Sequence, residues 1–331
     1  MKISNINVVG VKELLFDTTG RTFPKLPNWS ISPWDSIDHN SVDVYVQTNQ
    51  AGGPTSKSGK RYGRMYRQVI ETYKPFLVVE GPVFRENHPL GSHANAYQRW
   101  SWLSYFNNEG EYNNNNCPSD RWLQVKQRQN LTVRDWRNKG EHILLMLQRP
   151  GDSSLRNLIE LHGTYEKFVH FTIEQIRKNT DRTIIVRPHP QRLDRQLPVI
   201  NNLNFKNIKI SQNISVDNPN NIIAQGGAGL YRDLENCWAA VGFNSNALTE
   251  SAMYGIPTYS MCPSSMAWPV SNSSLSTINN PPTPDRDQWL YNLAYCQWTN
   301  EEVQIGLPWF HLEPKYYEIK NKLERQYEKS L

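Results

Sequence analysis

The sequence predicts an α/β protein whose second part is a parallel, doubly wound sheet. Three observations carry this expectation. Apolar runs of strand length, such as HILLMLQ at 142–148, alternate with stretches of helical periodicity. Gly, Pro, Ser and Asn punctuate the changes from one to the next. No apolar run in the 331 residues reaches the ~18 needed to span a membrane. Strands alternating with helices close into a parallel sheet through right-handed crossovers, and such sheets bind ligands beyond the carboxyl ends of their strands.

In the first part, strands are expected at 3–9, 42–47 and 76–80. Between the last two, 59–73 reads as a helix with a basic first half, because Met65, Val69 and Tyr73 recur one turn apart. Residues 86–120 are polar, aromatic and Asn-rich, and read as a long loop with a helical piece near 94–106. The second part opens with the strand at 142–148 and a Gly/Ser turn at 149–155. A helix at 165–179 follows, with Tyr165, Phe168, Val169, Thr172, Ile173 and Ile176 on one face. Strands are expected at 182–186, 208–211, 239–243 and 257–261, with helices at 231–238 and 244–254. Gly255 and Pro257 stop the last of these helices. The final 17 residues form an amphipathic helix with Tyr316, Ile319, Leu323 and Tyr327 on its stripe.

Composition narrows the function classes. With 11 Trp, 16 Tyr and 10 Phe the chain can bury a core, which excludes full disorder. Four cysteines, at 117, 237, 262 and 296, lie far apart without a CxxC spacing, so neither a zinc site nor a disulfide framework is expected. The first residues lack the basic and apolar segments of a signal peptide, so a cytoplasmic protein with no membrane partner is expected. Charge is uneven. Residues 1–139 carry 18 Lys/Arg against 12 Asp/Glu, whereas 140–331 carry 18 against 19, so the net +5 belongs to the first part. That imbalance suits an anionic partner there.

Three polar loops follow three strands of the second part and would converge on one crevice. They are 148–154, with Arg149; 187–190, with Arg187 and His189 between two prolines; and 242–246, with Ser245 and Asn246 opening a helix. A helix start offers unpaired N–H groups and a partial positive charge to an anion. Arginines add charge-assisted contacts to phosphate. Glu250, about a turn further along, is a carboxylate placed to accept ribose hydroxyls. As structural residues, the same side chains would be caps, surface ion pairs and a buried histidine.

IIVRPHPQ, followed some fifty residues later by AVGFNSNALTESAMYGIPTYS, resembles the C-terminal half of GT-B glycosyltransferases. The similarity is to the capsule-polysaccharide and glycerophosphotransferase-like branch, in which an HP element precedes S-x(4)-E-x(4)-G-x-P. WRNKGEHILLMLQRPGDSSL also resembles glycosyltransferase-like proteins of large tailed phages. The match spans about 136–262. The resemblance implies two Rossmann-like doubly wound domains facing across a cleft: 1–139 for the acceptor, 140–310 for a nucleotide sugar, and a helix at 311–331 packing back on the first. It implies Glu250 on the ribose, Ser245 and Asn246 on the diphosphate, and His189 on the phosphates or the sugar. The nucleotide sugar is a co-substrate, and no tightly bound cofactor is expected.

If the reaction inverts configuration, a carboxylate of the first domain is expected as the base. Glu80 ends the strand FLVVE and Asp17 follows LLF; Glu80 is preferred. Asp285-Arg286-Asp287 has the spacing of a metal-binding DxD, but it opens a predicted helix, where capping accounts for it, and no metal is expected. Lys57, Lys60, Arg61, Arg64 and Arg67 form a basic run without an acid, and Trp100, Trp102, Tyr105 and Phe106 follow it. Cations tracking a backbone, with aromatics to stack on bases, suit double-stranded DNA. The leading expectation is therefore transfer of a sugar to a hydroxylated base, such as 5-hydroxymethylcytosine, in phage DNA. A transferase acting on a surface polysaccharide and a non-catalytic nucleic-acid-binding protein on the same fold are the alternatives.

Overall fold

The structure is a computed structural model that describes residues 5–15, 21–48, 57–84, 97–190, 192–213 and 227–331. The described strands are β1 (Val8–Val11), β2 (Trp29–Ser32), β3 (Val44–Gln47), β4 (Phe76–Glu80), β5 (Tyr97–Trp102), β6 (His142–Met146), β7 (Thr183–Arg187), β8 (Ile208–Ile210), β9 (Cys237–Gly242), β10 (Thr258–Ser260) and β11 (Gln297–Thr299). The helices are α1 (Lys12–Leu15), α2 (Lys57–Glu71), α3 (Asp120–Arg128), α4 (Arg156–His162), α5 (Tyr165–Arg177), α6 (Leu193–Asn201), α7 (Gly227–Leu234), α8 (Ala247–Met253), α9 (Asp287–Ala294), α10 (Asn300–Gln304), α11 (Leu307–Leu312) and α12 (Tyr316–Ser330). Two compact units result: residues 1–83, 92–121 and 291–331 form one, and 84–91 and 122–290 the other.

The first unit holds a six-stranded sheet in the order β11-β5-β4-β3-β1-β2. β1 to β4 run parallel, β5 pairs antiparallel with β4, and β11 pairs antiparallel with β5. β11 falls inside the 140–310 span of the sequence reading, yet its backbone is paired with β5 in this sheet. Both faces are covered. On one, Val44, Val46, Leu77, Val79, Trp100 and Trp102 pack with Trp309 and Leu312 of α11 and Tyr316, Ile319 and Leu323 of α12. On the other, Val9, Tyr45, Phe76 and Val78 pack with Met65 and Val69 of α2. Met65 and Val69 thus use the stripe that the spacing predicts. Tyr73, its third member, lies past the helix end with φ +54°.

Residues 97–102, where a helical piece is predicted, are the strand β5. YQRWSW alternates with period two, so Trp100 and Trp102 enter the core while Arg99 and Ser101 face the other way. The Asn-rich flanks hide that alternation. The short edge strand β2, half exposed, and the helices α3, α4 and α6 have no counterpart in the sequence reading.

The second unit holds a five-stranded parallel sheet in the order β10-β9-β6-β7-β8. The first strand in sequence is central, and the winding reverses between β6 and β9. That is the switch point at which doubly wound sheets open a ligand crevice. All six residues of the predicted stripe on α5 are buried. α8 ends at Gly255, whose φ of +83° and close approach to the Asp135 carbonyl leave no room for a Cβ.

Candidate functional site at the switch point

The loops after β6 and β9 are tied together by two amides. Gln148 Nε2 donates to Asn244 Oδ1 at 2.7 Å, and the Asn244 backbone N–H donates back to Gln148 Oε1 at 3.1 Å. Asn244 Nδ2 also donates to the Ser154 carbonyl and to Ser264 Oγ, both at 2.8 Å. The Gln148 carbonyl accepts from the Tyr165 hydroxyl at 3.0 Å. Strand ends β6, β9 and β10 are thereby knitted into one polar floor. Gln148 and Asn244 lie in the loops that the sequence singles out, but no sequence signal marks them as a pair.

Arg149 stands beside this floor, 43% exposed, and pairs with Asp152 at 2.6 Å. Ser245 Oγ accepts from the Ala247 N–H at 3.3 Å, so it caps the start of α8, while Asn246, the residue before the helix, makes no side-chain cap bond. Glu250 is half-buried one turn into α8. His189 is half-buried at the end of β7. Its backbone is clamped on both sides by Gln196, a fully buried residue of α6: the His189 N–H donates to Oε1 at 2.8 Å, and its carbonyl accepts from Nε2 at 2.9 Å. Gln196 has no sequence signature; only the fold brings it under the Pro-His-Pro turn.

Arg187 departs from its expected role. Its guanidinium is buried, pairs with Asp233 at 2.5 Å, and also reaches the carbonyls of Asn213 and Gly229 at 3.3 Å. A buried guanidinium facing a buried carboxylate holds β7, β8 and α7 together. It is not presented to a diphosphate.

In the first unit Glu80 ends β4 and is half-buried. Its Oε1 accepts from its neighbour's N–H, that of Gly81, at 2.7 Å and from Arg21 at 3.3 Å. Asp17 lies outside the described residues. Lys60 and Arg61 belong to α2, and their side chains are also outside the description; Arg64 and Arg67 are exposed on the same helix. The aromatics expected to meet bases are corrected. Trp100 and Trp102 are core residues at 1% and 0% exposure, because β5 is an inner strand of the sheet; Phe106, past its end, is 4% exposed, and Tyr105 is half-buried.

Asp285 Oδ1 accepts from the Asp287 N–H at 2.8 Å at the start of α9, the capping role that the sequence allows. Among the described residues no group of three or more His, Cys, Asp or Glu is placed to hold a metal ion. All four cysteines are buried outside disulfides, and burial pushes the Cys117 and Cys237 thiols up to about 11 and about 12. Cys117 and Cys237 are packing groups, not thiolates.

Neither a protein-family model nor a curated protein matches the sequence. Solved structures do match. Thermosulfurimonas dismutans KpsC, beta Kdo 2,4 transferase, superposes with a TM-score of 0.50 at 13% identity, over 88% of this chain and 91% of that one. The likeness is one of fold. The same organism's KpsC, beta Kdo 2,7 transferase, gives a TM-score of 0.43 at 13% identity, over 91% and 99% of the two chains. The fold is mixed α/β, with one mixed and one parallel sheet, and is similar to that of the Kdo 2,4 transferase structure.

Proposed function

We propose that this chain is a GT-B glycosyltransferase that binds a nucleotide sugar on its second unit and a polysaccharide acceptor on its first. The observation that carries the reading is the switch point. Gln148 and Asn244 fix the loops on which Arg149, Ser245 and Asn246 stand, with Glu250 one turn beyond. In this reading Asn246 and Ser245 meet the diphosphate, Arg149 exchanges Asp152 for phosphate oxygens, Glu250 takes the ribose hydroxyls, and His189 faces the phosphates or the sugar. Preorganised donors around a departing diphosphate stabilise its developing charge, which is the main electrostatic requirement of the reaction. Glu80, with Asp17 as the alternative, is the candidate base on the first unit. Lys60, Arg61, Arg64 and Arg67 line the acceptor side.

The polysaccharide acceptor is favoured over hydroxylated DNA because the fold likeness is to a Kdo transferase and three of the four aromatics, Trp100, Trp102 and Phe106, are in the core. The test is a panel of CMP-, UDP-, GDP- and TDP-sugars followed by thermal unfolding. One member should raise the melting temperature, and Glu250→Ala should abolish the shift. That donor is then incubated with capsule-type oligosaccharides and with hydroxymethylated DNA, and products are read by mass spectrometry. No stabilisation by any nucleotide sugar would refute the transferase; sugar on DNA alone would refute the acceptor assignment.

A further inference from the structure

The first unit contains a buried guanidinium that forms no ion pair with its described residues. Glu80 of β4 lies directly opposite Arg99 of β5, and Gln297 of β11 is opposite Arg99 on its other side. Directly opposed residues project from the same face of a sheet, so the three form a polar row across three strands. The obvious ion pair in that row is not made. Glu80 turns to Arg21 and the Gly81 N–H, and no carboxylate among the described residues lies within 4 Å of Arg99. Arg99 is only 6% exposed. Its Nε is buried without a partner, and the two terminal nitrogens are not sealed in this way. Its guanidinium sits over the Tyr105 ring, 5.2 Å from the centroid.

The other ionisable neighbours do not supply the missing charge. Burial raises both the Tyr112 hydroxyl and the Cys296 thiol well above their ordinary values, so both stay neutral beside Arg99. A second orphan lies on the same face. Gln47 of β3 is fully buried, and both ends of its amide lack a partner. It neighbours Val78, two residues before Glu80 on that face. A buried guanidinium without a counter-ion and a buried amide without partners are costly arrangements unless something else completes them.

We infer that Arg99, with Gln47 two strands away on the same sheet face, receives one oxyanion group of an acidic sugar, a carboxylate or a phosphate, in the acceptor. This rests on the transferase reading and assigns the acceptor its charge. The guanidinium fork matches a carboxylate or phosphate in two-pronged fashion, which a lysine does not reproduce. Glu80, held by Arg21, does not pair with the fork, nor does any other carboxylate among the described residues. Arg99 is then the residue that selects an acidic over a neutral acceptor.

The test uses the full chain and four probes: an oligogalacturonate, glucose 6-phosphate, neutral maltotetraose and inorganic phosphate, each titrated by calorimetry at low salt. The oligogalacturonate or glucose 6-phosphate should bind at least tenfold more tightly than maltotetraose. The better of the two shows whether carboxylate or phosphate is read. Arg99→Gln should lower that affinity at least tenfold and Arg99→Lys partly restore it. Without ligand, Arg99→Gln should melt no lower than the parent, since it removes an uncompensated buried charge. The inference fails if neither acidic sugar binds, if Arg99→Gln binds as well as the parent, or if inorganic phosphate binds as well as the sugars, an adventitious ion only. It also fails if Arg99→Gln melts several degrees lower, which would make the charge structural. An Arg99→Gln chain that does not fold overturns the inference in the same way. Nucleotide-sugar stabilisation in the same samples separates failure of this site from failure of the transferase reading.

Discussion

Two residue pairs in the second unit make opposite kinds of contribution. Gln148 and Asn244 form neutral hydrogen bonds that fix loop geometry, and Asn244 also serves Ser154 and Ser264. Asn244→Ala strands those partners, so it should cost about 1–3 kcal/mol in urea unfolding and weaken donor binding at least tenfold. Unchanged donor binding would show that the amide pair does not organise the site. Arg187 and Asp233 are buried at 8% and 2% side-chain exposure. Removing one charge leaves the other unpaired, so Arg187→Met should destabilise by about 3–5 kcal/mol. The double change Arg187→Met, Asp233→Leu should recover most of that loss. A diphosphate ligand would behave differently, since its loss should harm binding far more than stability.

At the scale of elements, two helix ends show how local rules hold the fold. Gly255 closes α8 with φ +83° against the Asp135 carbonyl. Gly255→Ala meets both the strained φ and the carbonyl, and should cost more than about 1 kcal/mol, read as a lower urea midpoint with an unchanged slope. At α10, Thr299 and Glu302 form a reciprocal capping box, the Thr299 hydroxyl accepting from the Glu302 N–H at 3.2 Å and Glu302 accepting from the Thr299 N–H at 2.7 Å. Glu302 also pairs with Arg121 at 2.8 Å. This T-x-x-E pattern is a local signal, although the sequence reading does not single it out. The strand β11 just before it gives no such signal, because three residues carry too little periodicity.

At the scale of the molecule, the end of the chain belongs to the core of the first unit. Tyr316, Ile319 and Leu323 of α12 pack with the strands, while Tyr327, on the same stripe, is 47% exposed. Each buried side chain contributes about 1.5–3 kcal/mol. A chain ending at residue 315 should therefore unfold at markedly lower denaturant, with the first sheet losing hydrogen-exchange protection ahead of the second. Acid stability has a molecular signature too. Burial lowers the pKa of His142 in the second unit and of His311 in the first, below the ordinary 6.5 of a histidine. Unfolded imidazoles take up protons near the ordinary value while the folded ones resist. Their contribution is thus complete above that value and is lost as pH falls through the lowered folded pKa. Denaturant titrations from pH 8 downward should show this decline, and His142→Gln with His311→Gln should flatten it.

The sequence by itself determined the parallel sheet of the second unit, the buried stripe of α5, the stop at Gly255 and the three loops of the candidate site. Each depends on signals within a few residues: continuous apolar strands, one-turn spacing, a glycine where φ is positive. Only the tertiary structure decided β5 and β11, whose pairing partners lie far along the chain. It also turned the arginines apart, Arg149 to the surface with Asp152 and Arg187 into a buried pair with Asp233 forty-six residues away. The same holds for Gln196 under His189 and for Arg99, which stands opposite Glu80 but is left without it. A side chain's type is written locally; whether its charge meets water, a partner or a ligand depends on which strands fold beside it.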